Sequence, residues 1–110
     1  MKDHIPIRRS ALEEIKQAFE VNPVVALLGP RQCGKSTLAE NYAKKLKDEV
    51  HFFDLEDPRD LNQLANPLLA LDDLRGLIII DEIQRIPELF PYLRTLVDKR
   101  KRQIRLLSLG

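Results

Sequence analysis

A phosphate-binding loop is the first chemical feature that the sequence indicates. In the segment LLGPRQCGKSTLA (residues 27–39), Gly29 is followed by four residues of no fixed type and then by Gly-Lys-Ser. This spacing is typical of loops whose backbone N–H groups wrap a phosphate chain where a strand leads into a helix. We predict that nine residues of this loop bind a nucleotide: Gly29, Pro30, Arg31, Gln32, Cys33, Gly34, Lys35, Ser36 and Thr37.

Several side chains of the loop have separate predicted roles. Lys35 is expected to reach the β- and γ-phosphates as a catalytic residue, the Ser36 hydroxyl to hold Mg²⁺, and Thr37 to contact the α-phosphate. Cys33 occupies a free position of the motif, where a tolerated small side chain is favoured over a redox-sensitive thiol. A chance match in an ordinary turn is the alternative for the whole loop, and the strand before it and the helix after it disfavour that interpretation.

Two adjacent acidic residues form the second chemical feature. Asp81 and Glu82 directly follow an apolar run in LIIIDEIQ (residues 77–84), as expected of side chains delivered by the end of a buried strand. We expect Asp81 to bind Mg²⁺ through its water shell and Glu82 to act as the catalytic residue that polarises the attacking water. A solvated turn is the alternative for the pair, and the preceding phosphate loop disfavours it.

An alternation of strands and helices is predicted to position these residues. Four apolar runs predict strands at residues 24–28, 50–55, 76–81 and 104–109. Helices are expected at residues 10–20, near 35–46 and around 89–97, and two short ones are expected to follow Asp57-Pro58 and Asn66-Pro67. The pattern predicts an α/β fold, a three-layer P-loop NTPase core with a parallel sheet of about four strands.

Composition limits the classes of function. The 110 residues fit one domain, and a net charge of +1 gives no strong attraction to nucleic acid or membranes. Cys33 is the single cysteine, which excludes an intrachain disulfide and fits a reducing cytoplasmic setting. The N-terminal segment lacks the apolar core of a signal peptide, and the longest apolar runs are strand-sized. We therefore expect a cytoplasmic protein without a membrane partner.

A family resemblance rests on three segments in this order: LLGPRQCGKSTLA, VHFFDLEDPRD and LIIIDEIQRIPELFPYLRTLVD. Together they resemble the bacterial and archaeal AAA-type ATPases whose core is usually followed by a DUF4143 domain, over about residues 7–107. The Gly-Pro-Arg-Gln opening and the DEIQRIP run are the most diagnostic. The resemblance implies that residues 29–37 bind ATP, that Asp81 is the Mg²⁺ aspartate and that Glu82 is the catalytic glutamate. Gln84 and Arg85 belong to the family pattern, without a firm chemical role.

The resemblance also implies a partial domain. In the family, the fourth strand ends in a Thr-Gly-Ser-like turn that senses the γ-phosphate, whereas this chain ends in RLLSLG with Ser108 nearby. We therefore interpret residues 1–110 as an N-terminal part of the ATPase core, without the fifth strand, the arginine finger, the helical lid and the C-terminal domain. An uncovered strand at residues 24–28 is then expected to favour self-association, and Leu12, Ile15 and Phe19 are expected to be incompletely covered.

Three functions remain open from the sequence. The first is ATP binding with Mg²⁺-dependent hydrolysis by a water that Glu82 orients. The second is a nucleotide-binding fragment without turnover. The third is a nucleic-acid-binding or partner-binding remnant that uses the basic run DKRKRQIR (residues 98–105). For that run, cations at the end of a helix are the favoured interpretation, because they interact favourably with the helix dipole.

Overall fold

The chain alternates helices with strands, as predicted. The structure is a computed structural model that describes residues 9–27, 34–100 and 103–110, with side chains from residue 11 onward. Within these ranges the helices are α1 (Arg9–Val21), α2 (Lys35–Lys44), α3 (Pro58–Leu64), α4 (Pro67–Leu71) and α5 (Leu89–Arg100). The strands are β1 (Val24–Leu27), β2 (Val50–Asp54), β3 (Gly76–Asp81) and β4 (Ile104–Leu109), and a 3₁₀ turn spans Ile83–Arg85.

The four strands form one parallel sheet in the order β1-β4-β3-β2. The last residues of the four strands are register partners across the sheet: Leu27 pairs with Leu109, Leu109 with Asp81, and Asp81 with Asp54. All four carboxyl ends therefore lie along one edge. In parallel α/β sheets this is the edge where ligands bind.

Helices cover both faces of the sheet, as the burial of the β3 side chains shows. These side chains alternate between the two faces, yet residues 77–80 are all buried, as expected of a central parallel strand. Ile78 and Ile80 pack with the apolar side chains of α3, α4 and α5, whereas Leu77 and Ile79 pack with those of α1 and α2. Burial of each such side chain stabilises the fold by about 1.5–3 kcal/mol. The predicted three-layer α/β fold is confirmed.

Proline marks the starts of the short helices, as the sequence predicts. Asp57 caps α3, because its carboxylate accepts a hydrogen bond of 2.9 Å from the Arg59 N–H, and Pro58 is the first helical residue. Asn66 is likewise followed by Pro67 at the start of α4, although its side chain makes no capping hydrogen bond. Pro91 lies in the first turn of α5, where its missing N–H costs little.

The helix α1 is better covered than the sequence suggests. Ile15 and Phe19 are buried, so the expectation that they are incompletely covered is wrong; Leu12 is partly buried. The reason is that α2 lies against α1, and the Phe19 ring stacks on Tyr42 with 5.9 Å between the ring centroids.

Among the described residues β1 forms one edge of the sheet, with Ala26 exposed. None of the described helices combines the length and the apolar character needed to cross a bilayer.

Candidate nucleotide-binding site

The start of α2 carries the part of the phosphate loop that the structure describes. Gly29, Pro30, Arg31, Gln32 and Cys33 lie outside the described residues, so their predicted roles stay predictions. Gly34 precedes α2 and has φ 82° and ψ 21°, a left-handed conformation that glycine adopts without steric cost. The first N–H groups of a helix have no partner within it, and the helix dipole is positive at this end. The start of α2 therefore suits an anion.

Lys35 is the first residue of α2, and its side chain reaches across to the end of β4. The residue is only 7% exposed, and its Nζ donates a hydrogen bond of 2.7 Å to the backbone oxygen of Gly110. The Gly110 N–H in turn donates to the Leu27 oxygen at the end of β1, over 3.3 Å. A buried cation thus lies at the carboxyl ends of β1 and β4.

Ser36 and Asp81 are in direct contact, although 45 residues separate them in the chain. The Ser36 hydroxyl donates a hydrogen bond of 2.9 Å to Oδ2 of Asp81. The strand order that the resemblance implies, 5-1-4-3-2, places the fourth strand between the first and the third, and β4 does lie between β1 and β3. Asp81 nevertheless reaches the start of α2, because α2 packs across both β4 and β3. Two hard oxygen donors are thereby brought together.

Negative charge concentrates around Asp81. Burial raises the pKa of the Asp81 carboxyl above its ordinary value, and the charges of Glu82 and Asp54 raise it further, while the hydrogen bond from Ser36 opposes the shift. Asp54 is the register partner of Asp81, and its Oδ1 accepts a hydrogen bond of 2.9 Å from the Glu56 N–H. A cation bound beside Asp81 would stabilise the charged form of its carboxylate.

Glu82 has an unusual backbone conformation directly after β3. Its φ of 59° and ψ of 44° make it the one non-glycine residue with a positive φ among those that the structure describes. A conformation of this kind costs about 1–3 kcal/mol and is concentrated at functional sites. It turns the chain from β3 into the 3₁₀ turn Ile83–Arg85. Oε1 of Glu82 accepts a hydrogen bond of 2.6 Å from Nε2 of Gln84.

Comparison with known proteins agrees with this geometry. A family model described as an AAA domain matches residues 21–110. The chain belongs to this AAA domain family. Two similar proteins are "Uncharacterized protein Rv2008c" of Mycobacterium tuberculosis and "Uncharacterized protein Mb2031c" of Mycobacterium bovis, each 50% identical to this chain over 103 residues. The match covers 94% of this chain and 23% of each relative, so the chain spans about a quarter of the length of these relatives.

Membership of the family bears on the sequence predictions. The family assignment indicates an ATP-binding AAA-type protein. Lys35, Ser36 and Asp81 lie at the carboxyl edge of the sheet, and Glu82 directly follows Asp81. The roles of these four residues stay predictions. Thr37 is exposed in the first turn of α2, and its backbone oxygen accepts a hydrogen bond of 2.8 Å from the Asn41 amide.

Two residues at the site of the AAA domain received no role from the sequence. Asp54 ends β2 just as Asp81 ends β3, and a search for acidic residues at the ends of predicted parallel strands would have found it. Gln84 was noticed only as part of the family pattern. Its hydrogen bond to Glu82 depends on the 3₁₀ turn, which no periodicity in the sequence indicates.

The basic run after Asp98 is partly structural in this AAA domain. The Arg100 guanidinium at the end of α5 donates hydrogen bonds to the backbone oxygens of Asp72 and Leu74, the latter over 3.2 Å, and to Oε1 of Gln103 over 3.2 Å. It therefore fastens the segment between α4 and β3 to α5. Residues 101 and 102 lie outside the described residues. This arrangement agrees with the favoured interpretation of cations at a helix end.

Proposed function

We propose that this AAA domain binds ATP together with Mg²⁺ and hydrolyses the bond between the β- and γ-phosphates. The observation that carries the proposal is the 2.9 Å hydrogen bond from Ser36 to Asp81 beside the buried Lys35. A hydroxyl and an ammonium group at the start of α2, with a carboxylate from the end of β3 in contact with the hydroxyl, are the groups that recognise a nucleotide polyphosphate with its cation.

Lys35 is proposed to bind the β- and γ-phosphates. Its ammonium group donates to the Gly110 backbone oxygen, an acceptor that a phosphate oxygen can replace. A hydrogen bond from an ammonium group to a phosphate oxygen joins two charged groups and is therefore strong. Because Lys35 is buried, the surrounding protein screens its charge less than water would, and it stabilises the negative charge that develops on the leaving phosphate.

Ser36 and Asp81 are proposed to hold Mg²⁺. Mg²⁺ prefers oxygen ligands, and the donor set at this position is a hydroxyl and a carboxylate that already touch. The charges of Asp54 and Glu82 near Asp81 add to the attraction for a divalent cation. When bound, the ion would neutralise part of the phosphate charge and so favour attack by water.

Glu82 is proposed to orient the attacking water and to accept its proton. As the oxygen of the water bonds to the γ-phosphorus, the bond from that phosphorus to the bridging oxygen breaks, and ADP leaves with the electron pair. Glu82 is suited to this role because it directly follows Asp81. Its left-handed backbone conformation makes the chain leave the line of β3 at this residue. The cost of that conformation supports a functional reason for it.

Two binding experiments and one rate experiment test the proposal. Lys35→Ala should weaken ATP binding at least about tenfold, a change worth about 1.4 kcal/mol, whereas the exposed Lys44→Ala on the same helix should leave it unchanged. Glu82→Gln should keep ATP binding and lose phosphate release, with the exposed Glu88→Gln as its matched control. Equal ATP affinity of Lys35→Ala and Lys44→Ala would contradict the proposed site.

Nucleotide binding without turnover is the alternative function. Measured ATP binding together with an absence of phosphate release would select it. A nucleic-acid-binding role is less well supported, because Arg100 is hydrogen-bonded to backbone oxygens of the same chain. A cytoplasmic location stays a prediction.

Self-association through β1 is a further expectation that stays a proposal. Among the described residues β1 pairs only with β4, so its other side presents backbone groups at the edge of the sheet. An edge of this kind pairs readily with a second chain. Ala26→Lys places a charge at this edge and should reduce self-association in analytical ultracentrifugation. An unchanged sedimentation profile would contradict the proposal.

A further inference from the structure

A cavity of about 420 Å³ lies between α1, α2 and the start of β4, apart from the proposed nucleotide site. Lys35 and Ser36 of that site begin α2, whereas Tyr42, in the last turn of the same helix, lines the cavity. Arg105, near the amino end of β4, lines it as well. Binding pockets for small molecules have volumes of about 300–1,000 Å³, so this cavity is large enough for one.

The floor of the cavity is apolar and largely aromatic. The buried rings of Phe19 and Tyr42 stack there with an interplanar angle of 22°, and the partly buried Leu12 and Leu46 complete the apolar lining. Apolar surface in contact with water is unfavourable. A flat apolar group that packs on these rings would remove that contact.

The two walls of the cavity differ in charge. On α1, Glu13 and Glu20 lie three residues before and four residues after Lys16, the spacing at which opposite charges on a helix are neighbours. The α1 wall therefore has a negative balance. On the facing wall the charged lining residues are Lys45, directly after α2, and Arg105 of β4, which are both cations. An anion would be attracted to this second wall.

Arg105 approaches the cavity from the sheet. Leu107 and Leu109 pack among the side chains of α1 and α2, and Arg105 lies on the same face, because side chains two residues apart in a strand point the same way. Its guanidinium forms no hydrogen bond or ion pair with another residue that the structure describes. A planar guanidinium binds a carboxylate or phosphate through two parallel hydrogen bonds. Arg105 is therefore available to an anionic ligand.

The Tyr42 hydroxyl adds a hydrogen-bond donor near this cation. Burial raises the pKa of Tyr42 above its ordinary value, the positive charge of Arg105 opposes the shift, and the negative charge of Asp48 adds to it more weakly. The hydroxyl is therefore protonated at neutral pH. It can donate a hydrogen bond to an oxyanion that Arg105 attracts.

We propose that this cavity is a second ligand site, which binds a small molecule made of a flat apolar body and one oxyanion group. The apolar body lies on the rings of Phe19 and Tyr42, and the oxyanion faces Arg105 and Lys45. The apolar floor selects the body, the two cations select the anion, and the volume limits the size of the ligand. The proposal holds whether or not the domain hydrolyses ATP, because the phosphate site lies at the other end of α2.

Cinnamate is a suitable probe, because it joins a flat apolar body to one carboxylate, and cinnamamide is its neutral match of nearly the same size. An amide-proton chemical-shift titration of the nucleotide-free chain measures both. We expect a Kd of about 1 mM or lower for cinnamate and binding at least about fivefold weaker for cinnamamide. Saturating ATP with Mg²⁺ should leave the Kd for cinnamate within about twofold.

Two pairs of substitutions locate the binding. Lys45→Glu reverses a charge of the cavity wall, whereas Lys44→Glu makes the same change at an exposed neighbour outside the lining. Arg105→Gln removes the second cation, and Arg75→Gln, at an exposed arginine outside this cavity, is its control. Lys45→Glu and Arg105→Gln should each raise the Kd for cinnamate at least about fivefold, and the two controls should leave it within about twofold.

Each outcome bears on the proposal. Absence of cinnamate binding, equal affinity for cinnamate and cinnamamide, or equal losses in the variants and their controls overturns it. Displacement of cinnamate by ATP also overturns it, because the cavity would then belong to the nucleotide site. If Arg105→Gln does not fold, Lys45→Glu and Tyr42→Phe carry the comparison, and unaltered affinity in both overturns the proposal. Cinnamate binding as expected in a chain that releases no phosphate supports the second site and contradicts only the proposed hydrolysis.

Discussion

The Ser36 hydroxyl and the Asp81 carboxylate lie 2.9 Å apart, joined by a hydrogen bond between the start of α2 and the end of β3. The contact spans β4, which separates β1 from β3 in the sheet. The contact therefore depends on how α2 crosses the sheet. It joins the phosphate loop to the acidic residue after the apolar strand, the two sequence features that most strongly indicate a site for ATP and Mg²⁺.

Replacing Ser36 should affect ATP binding only when Mg²⁺ is present. Ser36→Ala removes one proposed Mg²⁺ ligand, so the Kd for ATP should rise by about tenfold with Mg²⁺ and by less than about twofold in excess chelator. Thr95→Ala, which removes an exposed hydroxyl on α5, is the control. Isothermal titration calorimetry measures both conditions, and an equal loss with and without Mg²⁺ would argue for a structural role of Ser36.

The cap of α3 should make stability depend on pH. Hydrogen bonds from Arg59 lower the pKa of Asp57 below its ordinary value, so the charged carboxylate stabilises the folded state. That contribution is present above the ordinary pKa of about 3.9 and is lost as the pH falls through the lowered pKa. Asp57→Ala should therefore lower Tm by a few degrees at pH 7 and by less near pH 3.

Asp73→Ala is the control for that comparison, because Asp73 is exposed and lies outside the helices. Its effect on Tm should be small at both pH values. Thermal unfolding followed by circular dichroism provides the measurement. A Tm difference for Asp57→Ala that does not change with pH would show that the charge of the cap contributes nothing.

Gly76 should tolerate no side chain at the entrance to β3. Its φ is 89°, and a Cβ atom there would lie 2.2 Å from the backbone oxygen of Glu49. The left-handed conformation alone costs a residue with a side chain about 1–2 kcal/mol, and the clash adds to this. Gly76→Ala should lower the free energy of unfolding in urea by about 2 kcal/mol or more, whereas Arg75→Ala should change it by less than about 0.5 kcal/mol.

Substitutions at the end of α5 can distinguish a structural role of the basic run from nucleic-acid binding. Arg100→Gln should lower stability by about 1–2 kcal/mol, because the backbone oxygens of Asp72 and Leu74 lose a charged donor. Lys99→Gln removes an exposed charge nearby and should leave stability unchanged. Neither change should affect retention on DNA at physiological salt. Salt-dependent DNA binding that Lys99→Gln weakens would favour the nucleic-acid alternative.

Much of the fold follows from local patterns in the sequence. The run at residues 77–80 is apolar on both faces, which marks a central parallel strand, and Pro58 and Pro67 mark two helix starts. The contacts of Lys35 and Gln84 with Gly110 could not be predicted in this way, because they depend on the distance between the ends of different strands. The strained backbone of Glu82 is equally invisible in the sequence, since glutamate rarely adopts a positive φ.

Single-turnover release of phosphate from ATP tests the central claim most directly. With Mg²⁺ present, the unaltered chain should release phosphate, Glu82→Gln should reduce the rate by at least about 100-fold with ATP still bound, and Glu88→Gln should match the unaltered chain. Chelation of Mg²⁺ should abolish release by the unaltered chain. Release that is equal in Glu82→Gln and the unaltered chain, or no release from a chain saturated with ATP and Mg²⁺, would contradict hydrolysis by a water that Glu82 orients.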